Sequence, residues 1–152
     1  VAAFGNLAQI AASNGRLAFS CFRTVSENPW AERIASFLPT DAVVQPDRFS
    51  PGPFAFADEA HVHGILSEAG WSNIAFQPVD YAYVAGTGPD AVNEAIAYFL
   101  SIGPAARAAA TLKDDERASF IARLRRFLSN HVDNDLIALR AGAWIVTAQA
   151  PA

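Results

Sequence analysis

Three short apolar runs limit the folds that this chain can adopt. They are LAFSCF at residues 17–22, IAFQPV at residues 74–79 and AWIVTA at residues 143–148. Short runs that are rich in β-branched and aromatic residues predict strands, here over residues 17–22, 72–79 and 143–150. As a strand, LAFSCF would have apolar residues on both of its faces. We therefore expect it to be buried on both faces in a parallel sheet covered by helices.

The segments around the first two runs carry signals of helices. Apolar residues recur at helical spacing within residues 4–11. Asn28 followed by Pro29 is typical of a helix start, Asp58 is a good N-cap residue, and Gly70 is typical of a helix end. The order helix, strand, helix, loop, helix, strand predicts an α/β sheet.

From Tyr81 onward the pattern becomes helical. Three successive helices are predicted there, the first starting at Thr87 to Pro89 and the last at Asp114 or Asp115. The last helix is predicted to face the core with an apolar stripe: Phe120, Ile121, Leu124, Phe127 and Leu128. The strand over residues 143–150 then returns to the sheet beside residues 72–79. We therefore predict a largely helical excursion between two strands, and excursions of this kind commonly cover a site.

The composition excludes several classes of function. The chain has 152 residues, of which 52% are hydrophobic and 17% are charged, as expected for one globular domain. The formal net charge of −4 argues against nucleic acid and against anionic membranes as partners. The single Cys21, the lack of a signal-peptide pattern and the lack of a long apolar run make the cytoplasm the expected compartment.

Residue types that commonly carry chemistry are sparse. His61 and His63 are two positions apart on a predicted helix, which makes them a poor metal pair, and no metal site is expected. His131 is predicted to cap the end of the helix before it. Cys21 is interpreted as a buried, inert thiol rather than a nucleophile. GTGPD at residues 86–90 is interpreted as a turn before a helix, because it lacks the third glycine of a dinucleotide fingerprint.

The best candidate site follows LAFSCF, at the strand end where open α/β sheets place ligands. Phe22, Arg23, Asn28 and Trp30 could line a pocket, with Arg23 and Asn28 as hydrogen-bonding groups and Trp30 as an apolar wall. The alternative is a capped helix with Trp30 in the core and Arg23 in a surface salt bridge.

Several motifs together resemble one family. FGNLAQIAASNGRLAFSCFR at residues 4–23, ENPW at 27–30, PGPFAFAD at 51–58, EAGW at 68–71 and the final AWIVTA occur in this order. The succession is similar to the C-terminal half of class I S-adenosylmethionine-dependent methyltransferases, and most similar to a bacterial group with NPW and PGPFAFAD motifs. The resemblance covers nearly the whole chain.

The resemblance implies a fold. LAFSCF, IAFQPV and AWIVTA would be strands five, six and seven of a Rossmann-like methyltransferase sheet, with the seventh strand antiparallel and inserted between the other two. Residues 1–80 and 140–150 would form the sheet core of a single incomplete domain. Residues 81–139 would form a helical cap insertion over the acceptor pocket.

The resemblance also implies ligands. S-adenosylmethionine would be the cofactor of the intact enzyme, and the methyl acceptor would be a small molecule. The glycine-rich loop and the acidic residue that hold the cofactor would lie upstream of Val1, so this chain alone is not expected to bind the cofactor or to be active. Phe54 and Phe56 would either line the acceptor pocket with the residues that follow LAFSCF or pack against the missing half.

Two interpretations stay open. In the first, the chain is the acceptor-side part of a methyltransferase, and its partner is the missing N-terminal half. In the second, the chain is a truncated, non-catalytic binding or dimerisation module, and the exposed edge of LAFSCF pairs with a second copy in a homodimer. Tyr81, Tyr83 and the histidines are the candidates for a general base, if the acceptor needs one.

Overall fold

A computed structural model describes residues 1–42 and 51–151 of the chain. The loop predicted after Pro39 lies partly outside these residues. The helices are α1 (Ala2–Ile10), α2 (Pro29–Ala35), α3 (Glu59–Glu68), α4 (Ala91–Ser101), α5 (Gly103–Thr111) and α6 (Asp114–Ser129). The strands are β1 (Arg16–Phe22), β2 (Ser72–Thr87), β3 (Val132–Asp133) and β4 (Leu136–Gln149), and the protein is therefore of mixed α/β type.

The four strands form one antiparallel sheet. Its order is β1-β4-β2, and the short β3 pairs with β4. In the β1–β4 pair Arg16 lies opposite Gln149 and Phe22 lies opposite Ala143. The last long strand of the chain thus lies between the two earlier ones, which is the position that the family resemblance implies for it.

The burial predicted for LAFSCF is wrong. Leu17, Phe19 and Cys21 of β1 are half-buried, whereas Ala18 and Ser20 are exposed. The partner of β1 in the described part of the chain is an antiparallel strand, and such strands often have one covered face and one wet face. Because Ala18 and Ser20 are small, their exposure costs little free energy. The sequence of the run therefore looks apolar on both faces although only one face is covered.

Two strands are longer than the sequence predicts. The strand expected to end at Val79 continues to Thr87, so residues 81–87 are strand rather than part of the helical excursion. The first helix of the excursion, predicted to start at Thr87 to Pro89, begins at Ala91. Tyr81 and Tyr83 lie in this continuation, and aromatic residues suit a pleated, half-exposed surface. Likewise β4 begins at Leu136, upstream of the predicted strand.

The helix ends largely follow the local signals. Asp58 caps α3 by accepting a hydrogen bond from the His61 backbone N–H at 2.9 Å, and Gly70 after it has a left-handed φ of 88°. Asn28 and Pro29 occupy the N-cap and the first position of α2, as predicted, although the Asn28 side chain makes no capping hydrogen bond. Within the described residues no helix is both long and apolar enough to cross a membrane.

The chain divides into two compact units. Unit 1 contains the described residues of Val1–Thr24, Pro53–Asp80 and Gly142–Ala152. Phe4, Phe19 and Phe56 pack against its buried core. The core itself comes from α3, from Trp71 after it and from β4 with the residue that follows: Val62, Leu66, Trp71, Val146, Ala148 and Ala150.

Unit 2 contains the described residues of Val25–Gly52 and Tyr81–Ala141. Its core is built from α2, α4 and α6 together with β4. The inward stripe predicted for α6 is confirmed, since Phe120, Leu124 and Leu128 are fully buried, and Ile121 and Phe127 are half-buried against the same core. Ile34 of α2 and Phe99 of α4 are buried in the same cluster.

Candidate functional site

Unit 2 contains an open cavity of about 650 Å³, which we call the α2 cavity. This volume falls within the range of small-molecule sites. Its apolar lining comes from α2, from the last turns of α6 and from β4: Pro29, Trp30, Phe127 and Leu139. Leu139 is only 3% exposed, and Trp30 and Phe127 are half-buried.

Neighbouring rings hold the aromatic walls of the α2 cavity. The Trp30 ring stacks on Tyr83 with centroids 5.1 Å apart and packs against Phe99 at 5.7 Å. The Phe127 ring packs against Phe37 at 5.7 Å. Trp30 therefore lines the α2 cavity and also packs against the core of unit 2.

Polar groups surround the open side of the α2 cavity. They are Glu32, Arg33, Ser36, His131 and Arg140, and all of them are exposed. The Arg33 guanidinium lies 5.1 Å from the centroid of the Phe37 ring. Among the residues that the structure describes, no ion pair joins Glu32 to either arginine. Two guanidinium groups therefore face one carboxylate around the cavity.

A hydrogen bond fixes the tautomer of His131. Its Nδ1 lies 2.8 Å from the carbonyl oxygen of Phe127, and a carbonyl oxygen can only accept, so Nδ1–H is the donor. In the neutral ring Nε2 then carries the lone pair and can accept a hydrogen bond or a proton. The same contact confirms the prediction that His131 caps the end of α6.

Tyrosines beside Trp30 are poor candidates for a base. The hydroxyl of Tyr83 is hydrogen-bonded to that of Tyr98. Burial, followed by this hydrogen bond, raises the pKa of Tyr83 above its usual value. Burial, followed by the charge of Tyr98, also raises the pKa of Tyr81. Both phenols therefore stay protonated near neutral pH.

Asn28 lies in unit 2 but outside the lining of the α2 cavity. Its exposure is 0%, and its backbone N–H donates to the carbonyl of Val25 at 3.0 Å. It occupies the N-cap position of α2, the helix that carries Trp30.

Arg23 lies in unit 1, directly after β1. Its guanidinium forms an ion pair with Asp80 at 3.2 Å and lies 5.6 Å from the centroid of the Trp144 ring. Asp80 is 59% exposed, whereas the Arg23 side chain is only 13% exposed. The Trp144 indole N–H donates to the carbonyl of Ala57 at 3.1 Å, which holds the ring in place.

PGPFAFAD forms bends and turns rather than an extended segment. Phe54 packs against Phe22 with ring centroids 5.5 Å apart. Phe56 packs against Phe4 at 6.0 Å and Phe19 at 6.3 Å. The two rings thus have different partners within unit 1.

Cys21 is held against the same turn. Its Sγ–H donates to the carbonyl oxygen of Phe56 at 3.3 Å, and the residue is half-buried. Burial raises the pKa of the thiol to about 11. Thiolate is therefore scarce at neutral pH, which agrees with the interpretation of Cys21 as an inert thiol.

The predicted site residues are distributed over the two units. Phe22, Arg23, Phe54 and Phe56 belong to unit 1, and Asn28 and Trp30 belong to unit 2.

Sequence reasoning missed Arg33 and Arg140 as members of a site, and it named His131 only as a helix cap and as one candidate for a general base. Arg33 could have been found, because it lies three positions after Trp30 on the same helix. Arg140 lies on β4, far from α2 in sequence, and no local pattern connects the two.

The glycines of GTGPD do not form a cofactor cradle. A Cβ atom on Gly86 would lie 2.0 Å from the carbonyl oxygen of Ala91 at the start of α4, and Gly88 has a left-handed φ of 73°. Gly86 and Gly88 therefore permit the tight connection from β2 to α4. After β1 the chain enters a short 3-10 helix, Val25–Glu27, that contains no glycine. These two connections do not fit S-adenosylmethionine.

No family model and no curated protein matches this chain. Among solved structures, it matches a protein of Bacillus halodurans provisionally described as a methyltransferase, with a TM-score of 0.43 and 9% sequence identity. The match covers 98% of this chain and 62% of the other, so this chain spans less than two thirds of the length of that protein. At this identity and TM-score the two chains share only a distant likeness.

Proposed function

We propose that this chain is the C-terminal, acceptor-side part of a class I S-adenosylmethionine-dependent methyltransferase. The intact enzyme would transfer a methyl group to a small molecule. The proposal starts from the motifs NPW and PGPFAFAD and their order along the chain. In this assignment β1, β2 and β4 are strands five, six and seven of a Rossmann-like sheet.

The sheet order is the observation that carries the proposal. β4 is the last strand in the chain, yet it lies between β1 and β2 and runs antiparallel to β1. The resemblance implies this placement for a seventh strand inserted between strands five and six. Residues 81–139 would be the cap insertion, and residues 1–80 and 140–150 would be the core.

Uncovered surfaces at the start of unit 1 support a larger domain. β1 lies at one end of the sheet order, and α1 before it contains no fully buried residue. Leu7 and Ile10 of α1 are 42% and 81% exposed. Exposed apolar side chains, and a strand edge that has no partner strand in the described part of the chain, are each typical of surfaces that further protein covers.

The roles that we propose for this chain and for the missing N-terminal half follow from the chemistry of methyl transfer. Methyl transfer is an in-line displacement at a sulfonium carbon, so the site has to align the acceptor and exclude water. The cofactor would be held by a segment outside this chain. Of the six predicted residues, Trp30 of unit 2 would supply an apolar wall to the acceptor. Roles in acceptor binding for Asn28 and for the unit 1 residues Phe22, Arg23, Phe54 and Phe56 stay predictions from sequence.

The test compares two lengths of the protein. We expect calorimetric titration of residues 1–152 with S-adenosylmethionine to show no measurable binding. We expect the protein extended by the residues encoded upstream of Val1 to bind the cofactor and to transfer labelled methyl groups. A strand with a glycine-rich turn in that upstream sequence would support the proposal, whereas a start codon directly before Val1, or micromolar binding by residues 1–152 alone, would refute it.

The second candidate is a non-catalytic binding or dimerisation module. The open edge of β1 favours it, because a second copy could pair there as well as a missing half. Sedimentation of residues 1–152 at several concentrations distinguishes the two. A dimer that the substitution Ala18→Lys on β1 converts to a monomer would support a dimerisation module, and a monomer at all concentrations would exclude dimerisation.

A further inference from the structure

We propose that the α2 cavity binds a small aromatic carboxylate. The site consists of the apolar walls around Leu139 and the charged groups at its open side, all within unit 2. Binding of such a ligand is independent of the proposed function. The further step, that the ligand is the methyl acceptor, rests on the proposed function.

The walls of the α2 cavity suit a planar ring. Trp30 and Phe127 present aromatic surface, and Leu139 adds buried aliphatic surface. Trp30 stacks on Tyr83 at 5.1 Å, and Phe127 is held between Phe37 and the ring of His131, whose centroid lies 4.4 Å away. Walls that are already fixed lose little side-chain entropy when a ring binds.

The charges favour one negative charge on the ligand. Arg33 and Arg140 each carry a guanidinium group, and the carboxylate of Glu32 compensates one of these two positive charges. Arg140 has no ion-pair partner in residues 1–42 and 51–151. A guanidinium group binds a carboxylate through two parallel hydrogen bonds. A single surplus positive charge matches a monoanion better than a dianionic phosphate.

Calorimetric titration of the intact protein with benzoate tests the proposal, with three comparison probes. We expect saturable binding of benzoate with a Kd of about 1 mM or lower, as is reasonable for a ligand of this size. Benzamide lacks the charge, acetate lacks the ring, and benzylamine reverses the charge, so each should bind at least about tenfold more weakly. Equal affinity for benzoate and benzamide would overturn the proposal, and so would the absence of benzoate binding.

The three tryptophans locate the binding. In ¹H–¹⁵N spectra the indole signal of Trp30 should move on addition of benzoate. The indoles of Trp71 and Trp144 in unit 1 donate to backbone carbonyls at 3.0 and 3.1 Å, and their signals should stay in place. Movement confined to Trp71 or Trp144 would place the ligand elsewhere and refute the site.

Matched substitutions test the charge. Arg140→Gln should weaken benzoate binding about tenfold and leave benzamide binding unchanged. Arg125→Gln removes the same charge from an exposed position of α6 outside the cavity lining, and we expect an effect below about twofold. An equal loss in both variants would contradict the proposal. These readouts need no methyl transfer, so failure here and failure of the cofactor test are separate results.

Discussion

At the scale of single residues, backbone geometry explains why some glycines can be replaced and others cannot. Gly86 stands where β2 approaches the start of α4, and a Cβ atom there would overlap the carbonyl oxygen of Ala91 at 2.0 Å. Gly64, in the middle of α3, has no atom within 4 Å of an added Cβ. The same amino acid is therefore required at one position and replaceable at the other.

We predict opposite effects for two glycine substitutions. Gly86→Ala should lower the free energy of unfolding by about 2 kcal/mol or more, because the backbone has to move to relieve the overlap. Gly64→Ala should raise it by about 0.5 to 1 kcal/mol, since alanine loses less conformational entropy in a helix. Urea denaturation of both variants measures the difference. A neutral Gly86→Ala would show that the approach to Ala91 is looser than described.

A second residue-scale prediction concerns the pH dependence of Cys21 alkylation. Burial raises the pKa of this thiol to about 11, so the reactive thiolate is depleted at all lower pH values. The rate with iodoacetamide should be slow near pH 8 and should rise about tenfold per pH unit up to about pH 10. Glutathione in the same buffers is the control, and its rate should level off earlier. A similar plateau for Cys21 would disprove the raised pKa.

At the scale of elements, helix boundaries depend on residues close in sequence. α3 begins where the carboxylate of Asp58 accepts the backbone N–H of His61 at 2.9 Å, and Gly70 follows its end. Both positions were predicted from sequence. The length of β2 was not, because its continuation to Thr87 depends on a neighbouring strand that comes much later in the chain.

The cap of α3 gives a prediction at this scale. Asp58→Ala should reduce the free energy of unfolding by about 1 kcal/mol, because the first turn loses an acceptor for a backbone N–H group. Asp58→Asn keeps a side-chain oxygen and is expected to stay close to the original stability. Thermal denaturation followed by circular dichroism compares them. If both variants lose equal stability, the charge matters rather than the hydrogen bond.

At the scale of the whole molecule, the buried residues form two clusters, one in each unit. Leu66 belongs to the cluster of unit 1 and Leu124 to that of unit 2, and both have an exposure of 0%. Each unit thus has a core of its own. We infer that local opening of one unit leaves much of the other intact.

Matched leucine substitutions test this division. Leu66→Ala and Leu124→Ala should each cost about 3 kcal/mol, through lost burial and a residual cavity. In hydrogen exchange, Leu66→Ala should accelerate amides of α3 most, and Leu124→Ala those of α4 and α6. Leu7→Ala changes a side chain that is 42% exposed and should cost less than about 1 kcal/mol. Uniform acceleration throughout the chain by either core variant would contradict two separate cores.

The sequence by itself determined the helices, several of their ends and the existence of three strands. Caps such as Asp58 and stripes such as that of α6 act within a few residues, so a local pattern is sufficient to predict them. Of the candidate site, the sequence indicated Trp30 but neither its stacking on Tyr83 nor its charged neighbours.

Only the tertiary structure decided the strand lengths, the one-sided burial of β1 and the composition of the α2 cavity. The cavity brings Arg33 of α2 together with Arg140 of β4. These contacts join residues distant in the chain, and their free energy depends on how the strands and helices pack, which no local pattern encodes.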